Sequence, residues 1–211
     1  MVLKNNERRK TVLKNIVFDL GRVLVSWGPY EFMLKNFPKE VADHLNAEIF
    51  EHPDWQEIDR GSISQEEFWE RKLQILVEYK QYILSLKKEV PRLLKPIQEN
   101  VRLLPILKDK GFRLFVLSNF GKDNFEMIYR DFEFFKIFDG IVVSAYVHSI
   151  KPEEKIYLEL INKYKIVPQQ SLFIDDKFEN IQIAQNLGFK TLHLPKSDEL
   201  SEKLFKIINR V

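Results

Sequence analysis

Five short apolar runs, rich in β-branched residues, alternate along the chain with segments whose apolar residues recur every three or four positions. The short runs predict buried strands, and the recurring spacing predicts amphipathic helices. Strands that alternate with helices favour a parallel sheet covered on both faces. We therefore predict an α/β fold with a doubly wound, Rossmann-like parallel sheet of about five strands. The predicted strands are Ile16–Phe18, Phe112–Leu117, Gly140–Ser144, Ser171–Ile174 and Lys190–Leu194.

One interval between predicted strands is much longer than the others. It separates the first strand from the second, and its apolar positions keep a helical spacing; Val41 and Leu45, for example, share one helix face. We predict an α/β core at residues 1–28 and 98–211, with an inserted all-helical cap at residues 29–97. Ligands of open α/β sheets bind at the carboxyl ends of the strands, so a cap inserted there would cover the site.

The bulk properties exclude several classes of function. The chain has 211 residues, of which 45% are hydrophobic, and a formal net charge of +2. This balance indicates neither nucleic acid nor an anionic membrane as a partner, and it leaves the choice between monomer and homodimer open.

No apolar run approaches the roughly 20 residues that span a bilayer, and residues 1–15 lack the apolar stretch of a signal peptide. The basic stretch Lys4–Lys10 is expected to be a solvated arm. The absence of cysteine fits a reducing, cytoplasmic location.

Polar residues follow four of the predicted strands. Taken singly, most of them are as readily turn or helix-capping residues. Asp19 is the exception, because a carboxylate that directly follows a buried apolar strand is partly desolvated and needs a partner. In a parallel sheet, however, the carboxyl ends of these strands lie on one edge. Carboxylates gathered there repel one another, so a cation is expected between them, and ligands that are all oxygen favour Mg²⁺. A lysine, a hydroxyl and backbone amides beside them suit a phosphate group. These residues are Asp19, Ser118, Asn119, Lys151, Asp175 and Asp176.

Four short motifs carry a resemblance to a known family. The stretches "FDLGRVL", "VLSN", "KP" and "FIDD" occur in this order along the chain. Together they resemble the four signature motifs of the haloacid dehalogenase-like (HAD) hydrolase superfamily, in which a helical cap is inserted between the first motif and the second. The variant "DLGRV" and the stretch "EIDRGSISQEEFW" resemble most closely the branch that contains bacterial sugar-phosphate phosphatases of the glucose-1-phosphate phosphatase type.

The resemblance implies a role for each motif residue. Asp19 is implied to be the nucleophile that attacks phosphorus and forms an aspartyl-phosphate, and Lys151 is implied to neutralise the negative charge around it. Asn180, one helical turn after Asp176, is predicted to hold the water shell of the metal or the Lys151 ammonium group. The implied phosphate-binding residues are Ser118, Asn119, Lys151 and Leu20. The implied Mg²⁺ ligands are Asp19, the backbone carbonyl of Gly21, Asp176 and, through water, Asp175.

Gly21 departs from the family pattern. HAD phosphatases usually carry a second aspartate two residues after the nucleophile. Its carbonyl binds Mg²⁺, and its side chain protonates the leaving oxygen and later activates water. A glycine keeps the carbonyl and removes the proton donor, although general acid–base catalysis typically contributes about 10²–10⁴-fold. Either the leaving group needs no proton or a cap side chain supplies it. The cap candidates are His52, Asp54, Glu57 and Asp59.

Three functions are compatible with this pattern. The favoured one is a Mg²⁺-dependent phosphatase that hydrolyses a small phosphate monoester, preferably a sugar phosphate, through Asp19. The first alternative is a 2-haloacid dehalogenase, which uses the same nucleophile without a metal; Asp175 and Asp176 would then be unexplained, and the nearest arginines for a halide are Arg22 and Arg60. The second is a non-catalytic phosphate-ligand-binding or interaction protein. Retention of the buried charges speaks against it, because unused buried charges cost stability.

Overall fold

A computed structural model describes residues 12–209, so the basic stretch Lys4–Lys10 lies outside the described residues. Within them, five strands pair in parallel as one sheet, in the spatial order β3-β2-β1-β4-β5. This confirms the predicted fold class. The strands are β1 (Asn15–Phe18), β2 (Arg113–Ser118), β3 (Gly140–Val143), β4 (Ser171–Asp175) and β5 (Lys190–His193).

The strand ends differ from the predicted ones by a single residue. Ser118 and Asp175 are the last residues of β2 and β4, whereas Ser144, which was predicted to end a strand, begins a helix. The change of direction in the strand order lies between β1 and β4, because the chain extends to β2 and β3 on one side and then crosses to the other. Crevices at such points are the usual ligand sites of open α/β sheets.

Helices cover both faces of the sheet. Side chains of a strand alternate between the faces, so Ile16 and Val17 belong to separate apolar cores. The helices are α1 (Pro29–Asn36), α2 (Lys39–Leu45), α3 (Pro53–Arg60), α4 (Gln65–Ile75), α5 (Lys80–Leu93), α6 (Gln98–Val101), α7 (Leu103–Asp109), α8 (Lys122–Asp131), α9 (Ser144–Val147), α10 (Glu154–Tyr164), α11 (Phe178–Asn186) and α12 (Leu200–Ile208), with a π-helical turn at Asn46–Phe50 and 3₁₀ turns at Val77–Tyr79, Glu133–Ile137, Pro168–Gln170 and Ser197–Glu199. The core around Ile16 includes residues of α7 and α12, and the core around Val17 includes residues of α10 and α11. None of the helices within residues 12–209 is both long and apolar enough to cross a membrane.

Helices α1 to α5 lie between β1 and β2 and form what we call the helical insertion, residues 29–97. The insertion has an apolar core of its own, which includes Phe68 and Trp69. The Ser64 side chain accepts a hydrogen bond from the Glu67 amide (3.1 Å) and so caps α4, as the spacing of the two residues predicts. The limits of the insertion as a domain stay a prediction.

The two connections between the sheet and the insertion are bonded to each other. The Ser26 hydroxyl donates to the Leu93 carbonyl (2.6 Å) and accepts from the Lys95 amide (3.0 Å). The backbone adds bonds from Ser26 N to Lys95 O (2.8 Å) and from Ile97 N to Leu24 O (2.9 Å). The insertion therefore leaves and rejoins the core at one place, immediately after the motif that contains Asp19.

Replacing Gly140 by alanine is expected to destabilise the core. An added Cβ would lie 2.4 Å from ring atoms of Tyr164, and this ring cannot shift freely because its hydroxyl is hydrogen-bonded to the Ile141 amide (2.9 Å) and carbonyl (3.0 Å). Overpacking of this kind typically costs about 1–3 kcal/mol in the free energy of unfolding. Urea denaturation measures the change. Gly21→Ala is the matched control, since no atom lies within 4 Å of its added Cβ; equal stability of the two variants would contradict the packing described here.

Candidate active site

The strand order brings the motif residues together. β1 lies between β2 and β4, and Phe18 is paired with Val116 on one side and Ile174 on the other. Asp19, which follows β1, therefore lies beside the ends of both neighbouring strands, and its amide donates to the Ile174 carbonyl (2.9 Å). Lys151 enters from the loop that follows α9. The structure thus brings the residues predicted from the four motifs to one edge of the sheet.

A buried lysine lies between two carboxylates at this edge. Lys151 Nζ is 2.8 Å from Asp19 Oδ1 and 2.6 Å from Asp175 Oδ2, and all three residues are buried. Burial raises the pKa of the Asp19 carboxyl, and the charge of Lys151 offsets part of that effect. Burial alone would lower the pKa of Lys151, but the charges of Asp175 and Asp19 raise it above its ordinary value. The lysine is therefore held as a cation at neutral pH.

The Ser118 and Asn119 side chains hold this arrangement in place. The Ser118 hydroxyl donates to Asp19 Oδ1 (2.7 Å), the oxygen that also contacts Lys151. Both contacts fall on the same atom, so neither of them engages Asp19 Oδ2. The Asn119 amide forms two bonds with the backbone of Lys151: Nδ2 donates to its carbonyl (2.9 Å), and Oδ1 accepts from its amide (2.7 Å). Asn119 therefore ties the end of β2 to the lysine loop, and its predicted contact with phosphate stays a prediction.

Asn180 and the Lys177 amide fix the second carboxylate. Asp175 Oδ1 accepts from Asn180 Nδ2 (2.9 Å) and from Lys177 N (2.9 Å), while Oδ2 accepts from Lys151. The Asn180 carbonyl in turn accepts from the Tyr157 hydroxyl (3.0 Å). Each oxygen of Asp175 thus already has a donor. Asn180 therefore contacts Asp175 rather than Lys151 directly, and the indirect role of Asp175 at a metal stays a prediction.

Three carboxylates cluster around the buried Lys151. One oxygen each from Asp19, Asp175 and Asp176 lies within 4.8 Å of the others. Burial raises the pKa of Asp176, and the negative charge of Asp19 raises it further. Three carboxylates against one ammonium group leave the cluster with excess negative charge, which a hard cation would offset. The donor set, which is all oxygen, fits the predicted Mg²⁺.

The cluster opens into a pocket of about 360 Å³ whose walls come from both the core and the helical insertion. Trp27, Phe50 and Trp55 form an aromatic wall, with ring centroids 4.9–5.9 Å apart. Tyr30 also lines the pocket, whereas Phe32 does not belong to its lining. Phe50 and Trp55 were missed because their spacing is that of ordinary core positions of a helix.

Asp59 is the one member of the four proton-donor candidates that lines the pocket. The other three have partners elsewhere in the described part of the chain. His52 Nδ1 accepts from the Asp54 amide (3.2 Å) and caps α3, Asp54 pairs with the buried Lys72 (3.2 Å), and Glu57 lies 3.6 Å from Arg60. The Asp59 carboxyl interacts electrostatically with Asp19 and Lys151 and accepts a hydrogen bond from the Gly121 amide.

The last turn of α3 is bonded to the core on either side of this pocket. The Ser144 hydroxyl donates to the Asp59 carbonyl, and Arg60 forms a two-bond pair with Glu153 (3.0 and 2.6 Å). Gly61 ends the helix with a φ of +74°, and a Cβ there would lie 2.5 Å from the Ala145 carbonyl oxygen. The helical insertion therefore rests on the core with its backbone in close contact at this point.

Comparison with known proteins agrees with this geometry. The family model described as "Haloacid dehalogenase-like hydrolase" matches residues 29–194. The chain belongs to this family. A sesquiterpene phosphatase, astK, of Aspergillus oryzae is 26% identical over 187 residues, which cover 89% of this chain and 92% of the relative. A D-ribitol-5-phosphate phosphatase of Bacteroides thetaiotaomicron is 25% identical over 216 residues, 94% and 100% of the two chains.

A solved structure provides the third comparison for this HAD hydrolase. It is a HAD-family enzyme of Bacteroides thetaiotaomicron in complex with magnesium and inorganic phosphate, 23% identical, with a TM-score of 0.66 over 86% of this chain and 93% of that one. The predicted superfamily is confirmed, whereas the glucose-1-phosphate phosphatase branch stays a prediction. Because the family match begins at residue 29, the position of Asp19 in the site rests on the geometry described above.

Removing the buried ammonium group of this HAD hydrolase is expected to destabilise it strongly. In Lys151→Met, Asp19 and Asp175 face each other without a cation, and breaking a buried ion pair typically costs about 3–5 kcal/mol of unfolding free energy. The deficit should be smaller at pH 5 than at pH 7, because protonation of one carboxylate relieves the repulsion. Urea denaturation in metal-free buffer at both pH values measures it. The control is Lys155→Met, an exposed lysine of α10; equal loss in both variants, or a deficit independent of pH, would contradict the role of Lys151.

Proposed function

We propose that the protein is a Mg²⁺-dependent phosphatase that hydrolyses a small phosphate monoester through an aspartyl-phosphate on Asp19. The observation that carries the proposal is the state of Asp19 at the floor of the pocket. Lys151 and Ser118 both bind its Oδ1, so the carboxylate is fixed in orientation while Oδ2 is not engaged by either of them. A carboxylate held in this way, beside a permanent cation, is suited to attack an anionic phosphoryl group.

Each neighbouring residue has a part in the proposed reaction. Lys151 offsets the negative charge of the nucleophile and of the incoming phosphate. Ser118 and the backbone amide of Leu20 are proposed phosphate donors, and Asn119 keeps Lys151 in register through its two backbone bonds. Asp175 holds the lysine through its Oδ2 and is itself held by Asn180. The phosphoryl group is thus received by residues of the core alone.

The carboxylate cluster is proposed to hold Mg²⁺. Asp19, the Gly21 carbonyl and Asp176 would bind it, with Asp175 acting through water, and the proximity of the three carboxylates fits this assignment. When bound, Mg²⁺ would offset the charge repulsion between carboxylate and phosphate and stabilise the charge of the transition state. The magnesium and phosphate bound to the Bacteroides thetaiotaomicron HAD-family enzyme support the same proposal.

The helical insertion is proposed to act as the cap that selects the leaving group. Its aromatic wall suits the apolar face of a sugar ring, and the polar side chains of Asn46 and Glu51, which are bonded to each other (2.7 Å), also line the pocket. Polar groups that surround an aromatic surface favour a sugar phosphate over a purely apolar ester. The similarity to a ribitol-5-phosphate phosphatase agrees with this preference. The similarity to a sesquiterpene phosphatase suggests the competing substrate, a terpenoid monophosphate, which should be compared directly with sugar phosphates.

The absence of cysteine supports a cytoplasmic location.

The dehalogenase alternative has less support from the geometry. Arg60, one of the two candidate halide-binding arginines, is occupied by its two bonds to Glu153. Arg22 does line the pocket. A metal-free reaction, however, would not use the cluster of Asp19, Asp175 and Asp176, and unused clustered carboxylates lower the stability of the fold.

Phosphate release from a panel of esters tests the proposal. The panel contains hexose and pentitol phosphates and a terpenoid monophosphate. Chloride release from chloroacetate is measured in parallel. The wild-type protein should release phosphate with Mg²⁺, lose this activity in EDTA and regain it with added Mg²⁺, because the carboxylate cluster needs a cation. Asp19→Asn should reduce turnover to the uncatalysed rate, since the amide cannot form the aspartyl-phosphate. Asp109→Asn, an exposed position at the end of α7, is the control and should leave turnover unchanged.

The possible outcomes separate the three functions. Highest kcat/KM on sugar phosphates supports the proposed substrate class, and highest kcat/KM on the terpenoid monophosphate contradicts that class while it leaves the phosphatase in place. Turnover of chloroacetate in EDTA would show a dehalogenase. Binding of inorganic phosphate without turnover of any ester would show a non-catalytic protein.

A further inference from the structure

The proposed reaction lacks a proton donor at position 21, so another acid in the pocket has to be sought. Among the described residues, five carboxylate side chains line the pocket: Asp19, Glu31, Glu51, Asp59 and Asp176. Asp19 and Asp176 belong to the proposed nucleophile and metal ligands, and Glu31 and Glu51 are exposed to solvent. Asp59 is half-buried and comes from the helical insertion, the side of the pocket from which the leaving group would be contacted.

The backbone of Asp59 is held on the core by several independent contacts. Its carbonyl accepts from the Ser144 hydroxyl, and the next two residues, Arg60 and Gly61, are fixed against Glu153 and Ala145. On the other side, a Cβ added to Gly121 would lie 2.6 Å from Ile58 Cγ2, so the loop after β2 packs directly on the residue before Asp59. The position of the carboxyl group is therefore set by the core and not only by the insertion.

The surroundings of the Asp59 carboxyl favour a proton carrier. Burial raises its pKa to about 7, and the negative charge of Asp19 contributes to the rise; the positive charges of Lys177 and Lys151 and the bond from the Gly121 amide limit it. A general acid works best when its pKa lies near the working pH, because both protonation states are then populated. The place of Asp59 in the pocket wall and the raised pKa of its carboxyl thus both favour it as the proton donor.

We propose that Asp59 is the general acid and base of the reaction, in place of the side chain that Gly21 lacks; this inference rests on the proposed phosphatase function. As Asp19 Oδ2 forms its bond to phosphorus, the bond from phosphorus to the ester oxygen breaks, and the Asp59 proton passes to that oxygen to give the free alcohol. The Asp59 carboxylate then takes a proton from the water that attacks the aspartyl-phosphate. Inorganic phosphate leaves, and the Asp19 carboxylate and the protonated Asp59 are restored.

The test compares two esters that differ in their need for a proton. An alkyl phosphate leaves as a strongly basic alkoxide unless it is protonated, whereas 4-nitrophenyl phosphate leaves as a stable anion. In Asp59→Asn, kcat/KM with Mg²⁺ should fall by about 10²–10⁴-fold on the alkyl phosphate, the usual contribution of general acid–base catalysis, and by roughly tenfold at most on 4-nitrophenyl phosphate. The ratio kcat/KM is used because it reports the steps up to release of the alcohol.

Two further variants sharpen the experiment. Glu70→Gln changes an exposed carboxylate of α4, outside the pocket, and should leave kcat/KM on both esters unchanged. Gly21→Asp restores the usual aspartate, whose Cβ would meet no neighbouring atom within 4 Å. Combined with Asp59→Asn it should recover activity mainly on the alkyl phosphate. Thermal unfolding of each variant checks that the fold is intact.

The outcomes distinguish this inference from the proposed function. Equal losses on both esters in a folded Asp59→Asn variant, or no loss on either, would overturn the role of Asp59 while the phosphatase stands. If kcat/KM on the alkyl phosphate does not recover in the Gly21→Asp, Asp59→Asn double variant, loss of a proton donor does not explain the defect of Asp59→Asn. If the wild-type protein hydrolyses neither ester, the proposed function fails, and the role of Asp59 fails with it.

Discussion

The ion pair that Lys151 forms with both Asp19 and Asp175 is the constraint on which the site depends. Two buried carboxylates repel each other unless a cation lies between them. A buried ammonium group, in turn, remains charged only when carboxylates lie beside it. Lys151 Nζ lies 2.8 Å from Asp19 Oδ1 and 2.6 Å from Asp175 Oδ2, so it links Asp19, after β1, to the end of β4. Asn119 and Asn180 belong to the same arrangement, because one holds the lysine backbone and the other holds Asp175. The order of the strands, with β1 between β2 and β4, is what makes this arrangement possible.

The core and the helical insertion contribute different residues to the pocket. The core supplies Asp19, the buried Lys151 and the carboxylate cluster, which are proposed to act on the phosphoryl group. The helical insertion supplies Phe50, Trp55 and the Asp59 carboxyl, and Trp27 joins them from the segment just before it. These residues are proposed to contact the rest of the substrate. Contacts at the end of α3, such as that between Arg60 and Glu153, join the two parts. A change of substrate would therefore require changes in the insertion and none in the floor of the pocket.

The sequence predicted the fold and the meeting of distant polar residues at one edge of the sheet, for a physical reason. Strands buried on both faces are continuous apolar runs, and a polar residue such as Asp19 that ends such a run marks its carboxyl end. Parallel pairing then brings distant residues to one edge without any knowledge of packing. No comparable sequence pattern predicts which residues of the insertion contact the pocket. Phe50 and Trp55 have the spacing of core residues, and Asp59 was one of four similar candidates, because which face of a short helix meets the core depends on tertiary packing.

The central claim is that Asp19 carries the phosphoryl group during turnover. The most direct measurement is rapid acid quenching of the protein during turnover with Mg²⁺ and a saturating ester, followed by mass spectrometry of its peptides. A phosphoryl group on Asp19, absent from Asp19→Asn, is the predicted result. Turnover without phosphorylation of Asp19, or with the phosphoryl group on another residue, would contradict the account.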